Sequence, residues 1–134
     1  MIITRETDYA LRILRALRDG KRYSISEITE KELIPKQFAY KILQKLTRAE
    51  LIEATRGAKG GCQLKADLKG ISLYDLIGII DNKTNTLIQC MEPGFKCPIQ
   101  EGSDGCNVHR KLSVIEFGIE KELKSHSLQE LLSA

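Results

Sequence analysis

No apolar run in this chain approaches the roughly 20 residues that span a bilayer. The opening segment, Met1-Ile2-Ile3-Thr4-Arg5-Glu6, lacks the apolar stretch of a secretory leader. Both absences predict a cytoplasmic protein. In that compartment thiols stay reduced, and cysteines serve metals or redox chemistry more often than structural disulfides. Internal repeats and low-complexity tracts are missing, which excludes a repeat architecture. Tryptophan is absent and aromatic residues make up only 5% of the chain. There is no nucleophile–base set, phosphate loop or paired-carboxylate motif, so an enzyme is the least expected reading. His126, near the C-terminus, has no evident partner.

What is present fits a folded protein. The 134 residues suffice for one compact core, or a small domain with an extension. Hydrophobic residues make up 42% and charged residues 29%. The net charge of +3 hides an uneven distribution. Residues 1–66 hold 14 Lys and Arg against 8 Asp and Glu, whereas residues 67–134 hold 7 against 10. A basic first half favours a polyanionic partner, although a solvated surface has the same composition.

Residues 4–18 predict a helix, with Ala10, Ile13, Leu14 and Leu17 at helical spacing and Arg12, Arg15 and Arg18 off that stripe. Asp19-Gly20 ends it. Ser24-Ile25-Ser26-Glu27 has the capping-box pattern and starts a second helix. Pro35 suits the first turn of a third. There Phe38, Ala39, Ile42, Leu43 and Leu46 form an apolar side, and Gln37, Tyr40, Lys41, Gln44 and Arg48 a polar stripe. A hairpin follows from residues 51–55 and 62–65. Its tip, Arg56-Gly57-Ala58-Lys59-Gly60-Gly61, combines three glycines with two cations.

Three helices and a basic-tipped hairpin are the order of a winged helix-turn-helix, whose third helix enters the major groove. The predicted partner is double-stranded DNA with a palindromic operator. Lys36, Lys41, Lys45 and Lys59 are expected to hold phosphates, Gln37, Tyr40 and Gln44 to meet base edges, and Arg56 to enter a narrow minor groove.

A short helix is expected over residues 71–80, possible cap Ser72. A stretch without periodicity runs from Asp81 to about Gly105; loops this long are functional or disordered. From about Cys106 a long helix reaches Lys124, with Val108, Leu112, Ile115, Ile119 and Leu123 stepping by three or four and Val114 and Phe117 widening the stripe. Core packing explains such a stripe, and so does a homodimer in which the helix meets a second copy. Ser127 is positioned to cap a last turn. The expected fold class is mainly α with a small β-hairpin. It divides into a winged helix-turn-helix domain at 1–80, a cysteine loop at 81–106, and a dimerisation helix with C-terminal turn at 106–134.

Cys90, Cys97, Cys106 and His109 lie within twenty residues, with gaps of six, eight and two. Zinc knuckles prefer two to four residues between paired ligands. The wider gaps suit a loop around a larger object, such as an iron–sulfur cluster, with zinc or redox thiols as the alternatives. Cys106 and His109 are one helical turn apart and can face one site. Cys62, in the hairpin, reads as a small packing residue.

Thr7-Asp8-Tyr9-Ala10-Leu11-Arg12, the Arg56-Gly57 and Gly60-Gly61 pairs, and three cysteines before a long helix together resemble the iron–sulfur cluster regulator and nitric-oxide-sensing repressor family, of IscR and NsrR type. The resemblance covers nearly the whole chain. It implies a homodimeric winged-helix transcription regulator, often a repressor, whose cluster reports iron–sulfur supply, oxygen or nitric oxide. Cys90, Cys97 and Cys106 would be cluster ligands. His109 as the fourth resembles the type holding a 2Fe–2S cluster, the favoured assignment. Asp8 as the fourth resembles the type holding a 4Fe–4S cluster. The cysteine gaps are longer than that family's. Tyr40 and Lys41 stand where the IscR type has an acidic residue and an amide, so its operator does not carry over.

Overall fold

The computed structural model describes residues 3–58, 60–81, 86–101 and 105–133, without the side chains of Gln100 and Glu101. Helix α1 spans Arg5–Leu17. The Thr4 hydroxyl opens it by accepting from the Thr7 N–H at 3.2 Å. Tyr9, Ala10, Ile13, Leu14, Ala16 and Leu17 are all buried, so α1 is the central rod of the core. Gly20, at φ +77°, follows its end in a conformation that side-chain-bearing residues avoid.

Helix α2 covers Ile25–Glu32 and α3 covers Lys36–Arg48. Ser24 caps α2, its Oγ accepting from Glu27 N–H at 3.1 Å, but the expected return bond from the Glu27 carboxylate does not form. Between the helices Leu33 adopts the left-handed conformation at φ 55°, closed by Ile34 N–H donating to Thr29 O at 3.0 Å. Pro35 sits at the N-cap of α3, one position ahead of the first helical turn. Ala39, Ile42, Leu43 and Leu46 bury the inner face of α3, as their spacing predicts.

Strands β1 (Ile52–Thr55) and β2 (Gly61–Leu64) pair antiparallel, from Ile52 opposite Leu64 to Thr55 opposite Gly61. Tyr23 adds a bridge that the sequence does not advertise. Its N–H and carbonyl pair with Cys62 at 2.9 and 2.7 Å, stitching the wing to the entry of α2. Gly61 is required there, because a Cβ would stand 2.6 Å from the Tyr23 carbonyl oxygen. Gly60 is equally confined, 2.4 Å from the Thr55 oxygen. Cys62 is buried, and burial pushes its thiol pKa up, so it packs as a neutral group.

Helix α4 (Leu73–Ile80) opens with a complete capping box. Ser72 Oγ accepts from Asp75 N–H at 3.1 Å, and the Asp75 carboxylate accepts from Ser72 N–H at 2.9 Å. The described part of the cysteine segment contains a 3-10 turn at Gln89–Met91 and a single helical turn, α5, at Pro98–Glu101. Helix α6 (Asn107–Ser125) packs along α4 but buries no residue fully. The final helix α7 (Leu128–Leu132), capped by Ser127, then returns to the core.

Sequence grouped this last turn with the long helix, yet Leu128 and Leu132 belong to the same apolar cluster as α1 and α3. Leu128 N–H donates to Ile71 O at 2.8 Å, Leu73 N–H to His126 O at 3.0 Å, and Arg18 Nη1 to Leu132 O at 2.9 Å. Burying Leu128 alone contributes about 1.5–3 kcal/mol. The architecture is a winged helix-turn-helix, mainly helical with one hairpin, from which α6 projects and into which α7 closes. Among the described residues, no helix is long and apolar enough to cross a membrane.

Candidate nucleic-acid interface and metal centre

The outer face of α3 and the wing enclose a groove lined by Tyr40, Gln44 and Arg48 on one side and Thr55 and Arg56 on the other. Lys36 and Gln37 stand exposed at the start of the same helix. Lys36, Gln37, Tyr40, Gln44, Arg48 and Arg56 form no side-chain hydrogen bond or ion pair among the described residues. Such groups can meet phosphates and base edges without first giving up a partner. Arg48, noted in the polar stripe but not singled out, joins them by position. Lys59 lies outside the described residues.

Lys41 and Lys45 are placed differently. Both reach across to Glu6 on α1: Lys41 Nζ lies 2.7 Å from Oε1 and Lys45 Nζ 2.9 Å from Oε2. These two bonds hold the Glu6 carboxyl below its ordinary pKa. Lys45 Nζ also donates to the Ile80 carbonyl at 2.6 Å, satisfying the last residue of α4.

Arg12, Arg15 and Arg18 bind other parts of the fold. Arg15 Nε donates to both carboxylate oxygens of the buried Glu32 at 3.2 Å, which raises the guanidinium pKa. Arg12 pairs with Asp8 at 3.0 Å and donates to the Glu32 carbonyl at 3.3 Å. Arg18 closes on α7. Part of the basic excess of the first half therefore ties α1 to its neighbours, although Arg15 and Lys41 stay half exposed while paired.

In the cysteine segment, Cys90 lies in the 3-10 turn and His109 in the first turn of α6. Their side chains meet, with Cys90 Sγ 3.3 Å from His109 Nδ1. Cys106 occupies the N-cap of α6 without a side-chain capping bond, and Cys97 immediately precedes α5. All three cysteines are free and partly buried. Among the described residues, no three His, Cys, Asp or Glu gather closely enough to hold a metal ion. One of the expected ligand pairs is thus assembled, while Cys97 and Cys106 are not drawn into it. Asp8, the other expected fourth ligand, is engaged with Arg12. The donor set of thiols and one imidazole fits a soft metal or an iron–sulfur cluster in chemical type.

His126 does have partners, contrary to expectation. Nε2 lies 2.9 Å from Glu122 Oε1 and Nδ1 3.3 Å from Glu130 Oε1, and the two carboxylates raise its pKa. The four-residue spacing from Glu122 was the signal for the first.

Residues 3–134 match the Rrf2 family, described as iron-dependent transcriptional regulators. The chain belongs to the Rrf2 family. Consistent with this, it is 30% identical to the HTH-type transcriptional regulator NsrR of Oceanobacillus iheyensis over 136 residues, covering 98% of this chain and 90% of that one. Its fold is that of CymR, the global cysteine regulator of B. subtilis, with TM-score 0.74, 21% identity, and 98% and 95% of the two chains covered. T. potens IscR shares the fold with TM-score 0.71, 20% identity, and 97% and 85% covered. As an Rrf2 protein the chain is a DNA-binding transcriptional regulator and not an enzyme.

Proposed function

We propose that this Rrf2 protein is a homodimeric repressor whose operator affinity is set by an iron–sulfur cluster on residues 90–109. The observation that carries the reading is the 3.3 Å contact between Cys90 and His109, which joins the cysteine segment to the first turn of α6. Cys90, Cys97, Cys106 and His109 would hold the group, 2Fe–2S being the favoured type. Asp8, with a 4Fe–4S cluster, is the alternative. The bound group supplies a redox- and nitric-oxide-sensitive link between these side chains. Tying the segment to the start of α6 fixes the direction of that helix.

Val114, Ile115 and Phe117 lie exposed on α6 at 70%, 52% and 69%. With Val108, at 58%, four large apolar side chains so open on one helix support its use as the face that meets a second copy. In a dimer so built, α6 sets the separation of the two α3 helices. Half-sites on B-DNA repeat at about 34 Å, so a small change in that separation alters affinity. Lys36 and Lys59 hold phosphates, with Lys41 joining once released from Glu6, whereas Lys45, expected from the sequence to do the same, stays anchored to the Ile80 carbonyl. Gln37, Tyr40 and Gln44 face base edges, and Arg56 enters the minor groove.

A second reading keeps the DNA binding and drops the cluster, leaving the cysteines as thiol sensors or zinc ligands. The lack of a three-ligand group among the described residues is compatible with its thiol-sensor form, and counts against zinc as much as against a cluster. Visible absorption with iron and sulfide counts on oxygen-free protein separates the two. Cluster loss in Cys97→Ala and His109→Ala, with retention in Asp8→Ala, is the expected pattern. Loss in Asp8→Ala and retention in His109→Ala reassigns the fourth ligand. Colourless, iron-free protein that binds its operator fully favours the second reading.

A further inference from the structure

We infer that Glu6 is a specificity-determining residue that competes with the DNA backbone for the lysines of α3. Glu6 stands in the first turn of α1 and spans Lys41 and Lys45, which are four residues apart on one edge of the recognition helix. Its two oxygens take one ammonium each, at 2.7 and 2.9 Å. A carboxylate and a phosphate diester present the same chemistry to an ammonium: anionic oxygen acceptors at hydrogen-bond distance. Glu6 thus occupies the lysine donors that a phosphate would otherwise take.

The two lysines are held unequally. Lys41 is 59% exposed and, among the described residues, its one ionic contact is to Glu6. Lys45 is 26% exposed and is also anchored to the Ile80 carbonyl at 2.6 Å. Lys41 is therefore the residue that exchanges Glu6 for phosphate, and Lys45 remains as the strut that sets α3 against α4. Because the carboxylate is never far away, a phosphate gains less from Lys41 than from a free lysine. That lowers attraction to any duplex, and a site whose base-edge contacts hold α3 in register still binds. Glu6 lowers sequence-independent affinity and so widens the gap between operator and random DNA.

This inference rests on α3 being the DNA-facing helix, and it needs no cluster. The test is the salt dependence of binding to a random duplex by the full-length protein, comparing wild type, Glu6→Gln, Lys36→Ala, Lys41→Gln and the Glu6→Gln/Lys41→Gln pair. One released lysine per protomer steepens the slope of log affinity against log salt by about 0.9, which is roughly threefold more affinity lost per protomer over a fourfold rise in salt. Glu6→Gln is expected to bind random DNA more tightly at low salt with that steeper slope. Lys41→Gln should have little effect alone but abolish the gain in the Glu6→Gln background. A folded Glu6→Gln protein with unchanged slope, while Lys36→Ala flattens it, overturns the role of Glu6 alone. If Lys36→Ala also leaves the slope unchanged, it is the placement of α3 on DNA that fails.

Discussion

The Arg15–Glu32 pair makes an asymmetric prediction. The two side chains are 50% and 6% exposed respectively, so removing one partner does not mirror removing the other. In Arg15→Met, Glu32 keeps a nearly buried carboxylate and loses the guanidinium that supplied its side-chain hydrogen bonds. Breaking a buried pair from that side costs about 3 kcal/mol. In Glu32→Gln, the arginine is half in water and rehydrates, and the amide oxygen still accepts one bond. That change costs about 1 kcal/mol. With a urea m-value of about 2 kcal/mol/M, the midpoints fall by roughly 1.5 M and 0.5 M with m unchanged. Protomer concentration is held fixed, because dimerisation adds to apparent stability. The same variants carry a functional control. Arg15 is already paired with Glu32, so folded Arg15→Met protein should keep the wild-type salt slope on DNA. Equal losses in the two variants, or a flatter slope in Arg15→Met, would refute the assignment of Arg15 to Glu32 rather than to DNA.

Leu128→Ala is expected to lose about 2–5 kcal/mol in urea unfolding, because the side chain is fully buried in the apolar cluster that α1 also joins; a loss under 1 kcal/mol would detach α7 from the core. Arg56→Ala should weaken operator binding by about 1–3 kcal/mol in a fluorescence titration, and unchanged affinity removes the wing from the interface. His126 gains two carboxylate partners on folding, so its folded pKa lies above the ordinary 6.5. Its contribution is fully present below about pH 6.5, while the glutamates remain ionised, and fades as pH rises through the folded value. The stability gap between wild type and His126→Gln should therefore shrink from pH 6 to pH 8, and a gap that widens instead contradicts the pairing.

Much of this molecule is written locally. The caps at Ser24, Ser72 and Ser127 mark helix starts because a hydroxyl beside an apolar run satisfies an N–H that the helix leaves free. The wing is legible because only glycine fits beside the Tyr23 and Thr55 carbonyls. The polar stripe of α3 gives the groove residues Tyr40 and Gln44 directly. The rest depends on tertiary proximity. Nothing near Lys41 in sequence announces Glu6, 35 residues away, and nothing near Arg15 announces Glu32. Charge counts treat these cations as available for DNA when the fold has already paired them. The strand-like role of Tyr23 escaped for the same reason, since one bridged residue has no periodicity. In the cysteine segment the spacing identified the candidate ligands, but without hydrophobic period it gave no path for the chain. Only the fold brings Cys90 to His109.

The central claim is that a cluster on residues 90–109 controls how two copies of α3 and the wing engage DNA. Its most direct test is one operator titration on a single oxygen-free preparation, divided in half, with iron chelated from one portion and the oligomeric state checked in both. The account predicts iron and sulfide in the untreated portion, and operator affinities that differ at least tenfold between two dimeric samples. Equal affinities, or protein isolated without iron, would contradict it.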